Sequence, residues 1–246
     1  MERSDGRRPD QLRPVRITPG FLPNAEGSAL IEQGGTTVLC AVSVEDRLPP
    51  FLRERGGGSG WVTAEYGMLP RSTNTRMVRE ATVGRVGGRT HEIQRLIGRA
   101  LRAVTRLDVL GERTFTVDCD VIRADGGTRC AAITGAYVAL RQACENLLAR
   151  RLLSTMPLRD ALAAVSVGIV GDMALLDLTY EEDSRAEADF NVALTASGEF
   201  VEVQGSAESA PFPRTRLDEV LRLAGKGIEE LLAGQADALA AASQGT

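Results

Sequence analysis

Two glycine pairs, Gly87-Gly88 and Gly126-Gly127, lead straight into arginine-bearing segments, Gly87-Gly88-Arg89-Thr90 and Gly126-Gly127-Thr128-Arg129, that continue as long apolar-periodic runs. A chain written this way turns sharply twice and starts a helix after each turn. Glycine takes positive φ and lets a ligand come close to the backbone. A helix N-terminus offers unpaired N–H groups and the positive end of the dipole, while arginine adds a fork of donors matched to phosphate oxygens. The dipole disfavours a cation in the first turn, so an arginine at both starts suggests a bound anion as counter-charge. Taken singly, each is equally an ordinary turn with a solvated arginine, Thr128 serving as a natural N-cap.

The apolar spacing predicts the remaining elements. Residues 12–18, 28–33, 36–45, 61–69 and 114–122 read as strands, with a hairpin at Gly34-Gly35. Ile93, Leu96, Ile97, Ala100, Leu101, Val104 and Leu107 define an amphipathic helix over 92–107, and residues 131–148 a second. Arg95, Arg99, Arg102 and Arg106 of the first helix read as a solvated or intersubunit face. The second half follows a similar order, with strands at 163–170, 174–180, 191–194 and 199–204 and a helix at 217–239. An α+β fold of duplicated β-rich units with packed helices is expected, one domain over 1–246 built from pseudo-repeats of about 1–150 and 151–246.

Charge is divided unevenly along the 246 residues. The net charge is only −4, yet residues 71–106 hold nine arginines against Glu80 and Glu92, and residues 172–208 hold ten acids against Arg185. A basic surface and an acidic site therefore coexist. Of the cationic side chains 28 are arginine and one is Lys226, which favours bidentate phosphate recognition. Cys40, Cys119, Cys130 and Cys144 lie apart within apolar segments, as reduced core thiols do, and with His91 as the sole histidine no zinc site can be written. No run is long and apolar enough for a membrane span, so a soluble, unprocessed, cytoplasmic chain is expected.

Asp183 and Asp189 stand six residues apart at a strand boundary. They are either turn and strand-edge acids or a convergent pair, tolerable with a metal or a shared proton between them. Arg71, Arg76 and Arg79 flank Ser72, Thr73, Asn74 and Thr75, a polar loop able to hold a polyanion or to remain ordinary surface. No Ser/His/Asp arrangement forms around one histidine. A GxxxxGK[ST] loop is absent, which removes a P-loop kinase.

Longer runs carry a resemblance. Ser4-Asp5-Gly6-Arg7, Gln11-Leu12-Arg13-Pro14, the stretch from Gly60 to Arg71, Glu92-Ile93-Gln94-Arg95, Asp118-Cys119-Asp120-Val121, Ala124-Asp125-Gly126-Gly127-Thr128-Arg129, residues 164–169 and Glu202-Val203-Gln204-Gly205 resemble the ribonuclease PH family of bacterial phosphate-dependent 3′ exoribonucleases. The resemblance implies removal of 3′-terminal nucleotides from RNA, tRNA precursors above all, by inorganic phosphate, releasing nucleoside diphosphates. By position, Arg89, Gly127, Thr128 and Arg129 match the phosphate-binding residues of that family. Asp183 and Asp189 match its catalytic and metal-associated aspartates, implying Mg²⁺ or Mn²⁺, and Arg71, Arg76 and Arg79 its tRNA-holding loop. A homohexameric ring, a trimer of dimers, is implied as well. Cys130 and Ala132 stand where the family often has Thr and Ser, which puts hydroxyl contacts there in doubt. The alternative is a catalytically silent, ring-forming RNA-binding subunit, whose mark would be the loss of these arginines or aspartates.

Overall fold

In the computed structural model, which describes residues 3–54 and 56–244, the alternating apolar pattern becomes a five-stranded sheet in the order β1-β2-β3-β5-β4. Its strands are β1 (Val15–Pro19), β2 (Gly27–Gln33), β3 (Thr36–Glu45), β4 (Trp61–Met68) and β5 (Thr114–Arg123). β2 and β3 form the expected hairpin, Gln33 opposite Thr36, with Gly34 at φ +55°. β3 places Val38, Cys40 and Val42 in the core and Leu39 and Ala41 on the other face, the period-two signature of a strand. β4 runs parallel to β5, so the chain between them must cross over. That crossover holds α2 (Glu80–Val83) and α3 (Gly88–Ala103); the one-turn helix α1 (Pro50–Arg53) precedes β4.

α3 buries Ile93, Leu96, Ile97, Ala100 and Leu101 against this sheet. It begins four residues before the apolar pattern does, because Glu80 holds its start: the Glu80 carboxylate accepts from the Gly87 N–H at 3.1 Å and the Thr90 hydroxyl at 2.7 Å. Of the four arginines expected on its outer face, Arg106 falls beyond the end of the helix, and three of the four are tied within the chain. Arg99 pairs with Glu202 at 2.9 Å, Arg102 lies 4.4 Å over the Trp61 ring and donates to the Val62 carbonyl, and Arg106 donates to the Met156 carbonyl.

α4 (Thr128–Ala149) follows β5 and is apolar on nearly every face, the pattern of a helix enclosed by protein. Beneath it lies a second, antiparallel sheet in the order β7-β6-β8-β9, formed by β6 (Leu162–Val170), β7 (Met173–Leu176), β8 (Ala188–Thr195) and β9 (Phe200–Ala207). All nine residues of β6 are buried. Leu162 and Ala164 belong to the core shared with α4, while Ala163, Val165, Val167 and Ile169 pack under α6 (Arg214–Gln244). β7 pairs only with Val167–Val170, leaving the first half of that β6 edge without a strand. Side chains complete it: Thr134 accepts from the Ala164 N–H at 3.0 Å, and Gln235 donates to the Leu162 and Thr134 carbonyls at 2.9 Å each.

The strand expected over 174–180 ends at Leu176. Asp177 takes φ +55°, and Thr179 opens α5 (Tyr180–Asp183) through a capping box with Glu182. Asp183 is therefore the last residue of a short helix and not a strand-boundary acid. The signal was present as Thr179-x-x-Glu182, a helix-start pattern that apolar periodicity does not register.

Candidate active site

Both glycine turns do open helices. At the second, Gly126 and Gly127 sit at φ +75° and +64°, a backbone that side chains rarely adopt. Gly127, not Thr128, is the N-cap of α4, and no side chain caps it. Thr128 lies in the first turn, where its hydroxyl oxygen accepts from the buried Tyr66 hydroxyl of β4 at 2.9 Å. That leaves the Thr128 hydroxyl proton available to a ligand. Burial pushes the Tyr66 phenol above its ordinary range, against the downward pull of this contact and of the nearby charges of Arg89 and Arg129.

Arg129 reaches from the start of α4 to the second sheet. Its Nη1 donates to Gln204 Oε1 of β9 at 2.8 Å and lies 3.5 Å from Glu92 Oε1 of α3, while Gln204 Nε2 donates to the same Glu92 oxygen at 2.9 Å. Arg89, in the first turn of α3, is exposed and has no ion pair among the described residues. One arginine is thus clamped by a carboxylate and an amide, and the other is free to meet an incoming anion.

Facing them are the two aspartates. Asp189 lies on β8 opposite Gly168 and Ser206; Asp183 projects from α5. Partial burial of the Asp183 carboxyl pushes its pKa up and the Asp189 carboxylate adds to that, while Arg89 and Arg129 pull it down and Glu208 raises it again. These charges act on one another, so α3, α4, α5, β8 and β9 bring Arg89, Arg129, Asp183 and Asp189 into one electrostatic neighbourhood. Among the described residues no group of three or more His, Cys, Asp or Glu side chains forms a metal cage. Two carboxylates are a donor set suited to Mg²⁺, which keeps part of its hydration shell.

The Arg71–Arg79 loop stands beside this neighbourhood. Its base is fixed where the Ala124 N–H donates to the Ser72 carbonyl at 2.9 Å, one residue ahead of Asp125. Arg71, Arg76 and Arg79 are exposed, and none has an ion pair among the described residues. Cys130 retains a polar contact: its thiol, pushed up to about 12 by burial, stays protonated and donates to Asn191 Oδ1 at 3.2 Å. Ala132 is fully buried and makes no side-chain hydrogen bond. Tyr66, Glu92 and Gln204 were not singled out from sequence, although each lies in a run that carried the family resemblance. Nothing local in polar residues so far apart announces that they share a site.

Known proteins resemble this chain along nearly its whole length. The family models "3′ exoribonuclease family, domain 1" and "domain 2" match residues 11–144 and 160–227. A ribonuclease PH of Syntrophomonas wolfei is 55% identical over 235 residues, covering 96% of this chain and 98% of that protein. One of Neisseria meningitidis is 57% identical over 233 residues, covering 95% and 96%. Among solved structures, the Archaeoglobus fulgidus exosome with RNA bound to the active site superposes with a TM-score of 0.79 at 25% identity, over 94% of this chain and 91% of that one. Rice Rrp46 shares the fold, with a TM-score of 0.72 at 21% identity over 96% of this chain and 98% of that one. With both domains matched and relatives more than half identical almost end to end, the chain belongs to the 3′ exoribonuclease family, among its ribonuclease PH members.

Proposed function

We propose that this site shortens RNA from its 3′ end by phosphorolysis, with orthophosphate held between Arg89, Arg129 and the N-terminus of α4 at Gly127 and Thr128. The observation that carries this is the convergence of two first-turn arginines and a glycine-opened helix start on the Asp183–Asp189 pair. At an effective dielectric near 20, a cation about 4 Å from a unit anion contributes roughly 4 kcal/mol, so two can hold phosphate beside an anionic RNA backbone. A phosphate oxygen attacks the terminal phosphodiester phosphorus, and the bond from phosphorus to the 3′ oxygen of the penultimate nucleotide breaks. That oxygen takes a proton, and a nucleoside 5′-diphosphate leaves. Run backwards, the same steps add a nucleotide. Asp183, with its raised pKa, suits the proton donor.

In the alternative role, Asp183 and Asp189 together would hold Mg²⁺ or Mn²⁺, which when bound would offset charge on the scissile phosphate, the leaving oxygen then taking its proton from water. Arg71, Arg76 and Arg79 hold RNA beyond the reacting end, with tRNA precursors as the expected substrates. A homohexamer, a trimer of dimers, is in keeping with the exosome assemblies named above. It would also cover Val78, Val83 and Val86, which the single chain exposes. No helix among the described residues is long and apolar enough to cross a membrane, and four free, buried cysteines suit a reducing cytoplasm.

The test is incubation of the purified protein with RNA and Mg²⁺, with and without phosphate. Nucleoside diphosphates formed only with phosphate are expected; monophosphates released equally well without it would mean hydrolysis. Arg89→Ala and Arg129→Ala should each raise the phosphate requirement.

A further inference from the structure

Behind the phosphate turn, on the side away from Arg129, lies a group of buried charges that the reaction scheme does not use. Arg13, only 4% exposed, grips Asp177, 1% exposed, through three bonds: Nη2 to Oδ1 at 2.6 Å, Nε to Oδ2 at 3.0 Å and the Arg13 backbone N–H to Oδ2 at 2.8 Å. The same guanidinium donates to the Asp125 carbonyl and, at 3.4 Å, to the Gly126 carbonyl, which also accepts from Thr36 Oγ1 at 2.7 Å. A trans peptide sets N–H opposite C=O, so fixing these carbonyls fixes the direction of the Gly126 and Gly127 N–H groups.

The segment that carries Asp183 is pinned to the same place. Arg3 holds Glu182 by two bonds, 2.7 and 2.8 Å, and donates to the Leu176 and Asp177 carbonyls at 2.9 and 3.1 Å. The Tyr180 N–H donates to Asp125 Oδ1 at 3.1 Å. A Cβ on Gly126 would meet the Leu178 carbonyl and come within 2.8 Å of the Thr179 carbonyl carbon. Turn and α5 therefore touch backbone to backbone. A buried ion pair is a poor means of adding stability, since apolar packing of the same volume often does as well or better. Fixing two pieces of backbone relative to each other is something apolar packing does less well.

We propose that Arg13 and Asp177 are positioning residues for the reaction: joined, they set the separation and orientation of the phosphate turn relative to Asp183, so that the attacking phosphate and the carboxylate meet at one bond. This rests on the assignment of Gly127–Arg129 as the phosphate cradle and of Asp183 as the reacting carboxylate.

The experiment compares Arg13→Lys, which keeps the charge but loses the fork, with Asp125→Ala, which removes a half-exposed tether and leaves the buried pair intact. The full-length protein is used, with phosphate varied at saturating RNA. Misplacement of reacting groups by about an ångström costs up to roughly 100-fold. Arg13→Lys is expected to raise KM for phosphate and lower kcat within that range, and Asp125→Ala to do so more weakly, with RNA binding unchanged in both. A purely structural role would lower the melting temperature and leave phosphate KM and kcat per folded molecule at their normal values; that result overturns the proposal. If Arg13→Lys does not fold, Asp177→Asn, which keeps the shape of the partner and weakens its grip on Arg13, decides by the same readouts. Arg129→Ala is run in parallel. If it leaves phosphate KM unmoved, the cradle assignment fails and takes the proposal with it. If Arg129→Ala raises KM while the other two do not, the positioning inference alone fails.

Discussion

Gln204 holds Arg129 from the opposite sheet, accepting from its Nη1 at 2.8 Å while donating to Glu92 at 2.9 Å. The guanidinium proposed to meet phosphate is thereby held in place by the protein itself. A hydrogen bond to a charged group is worth about 1.5 kcal/mol or somewhat more. Gln204→Ala should therefore raise KM for phosphate roughly tenfold with little change in melting temperature, because the residue is half-exposed. Steady-state kinetics with varied phosphate check this; an unchanged KM would mean that Arg129 needs no such support.

Asp183→Asn and Asp189→Asn should each bind RNA normally and turn over more slowly by orders of magnitude, since acid or metal assistance is exerted mainly in the transition state. Their titration is separable from turnover. Burial raises the Asp183 pKa first and Asp189 second, while Arg89 and Arg129 oppose both. In metal-free protein followed by ¹³C NMR, Asp189→Asn should move the Asp183 midpoint down and Arg89→Ala should move it up. Identical midpoints in all three proteins would show that these charges do not share a site.

Neutralising Arg71, Arg76 and Arg79 together should weaken binding of a tRNA precursor and flatten its salt dependence, by about 0.7 in the log–log slope for each single-strand phosphate that the loop no longer neutralises. Very short oligonucleotides should be degraded at close to the normal rate. The structure ties Ser72 of this loop to Ala124, so the clamp begins beside the phosphate turn. A normal affinity and slope for long RNA in the triple variant would return the loop to ordinary surface.

Arg3→Ala should cost up to about 3 kcal/mol, because it removes both short bonds to the buried Glu182 and leaves Arg7, 3.7 Å away, as its remaining ion pair. Burial alone would raise the Glu182 pKa, but the bonds from Arg3 and the Thr179 N–H hold it below the ordinary range. A depressed carboxylate pKa contributes stability at neutral pH that is lost as pH falls through the folded-state value. Denaturant titrations should show that acid-sensitive contribution in the parent protein and a smaller one in Arg3→Ala, where the Thr179 N–H and Arg7 remain. Matching pH profiles would contradict the assignment.

The elements of the first sheet were legible because β2, β3, β4 and β5 each have a buried face, and β3 runs as read, from Thr36 to Glu45. The two glycine-led helix starts were legible too, since glycines ahead of an apolar-periodic run leave a local mark. What sequence did not disclose is long-range. Arg13 and Asp177 meet across 164 positions, and Arg129 and Gln204 across 75. Short-range rules also competed. Thr128 has the chemistry of an N-cap, but Gly127 accepts the left-handed backbone required there and releases Thr128 to Tyr66. The arginines of α3 looked outward by periodicity, yet a long side chain can curl back to a carbonyl or an indole ring, as Arg102 does.

α4 packs on strands of both sheets and on α3 and α6. A helix so shared couples the two halves into one melting unit, because each sheet has a face uncovered once α4 leaves. The chain's single tryptophan, Trp61, lies in β4, at the edge of the first sheet. Its fluorescence should nonetheless report the loss of α6 on the far side of the molecule, so one optical probe can follow the whole polypeptide.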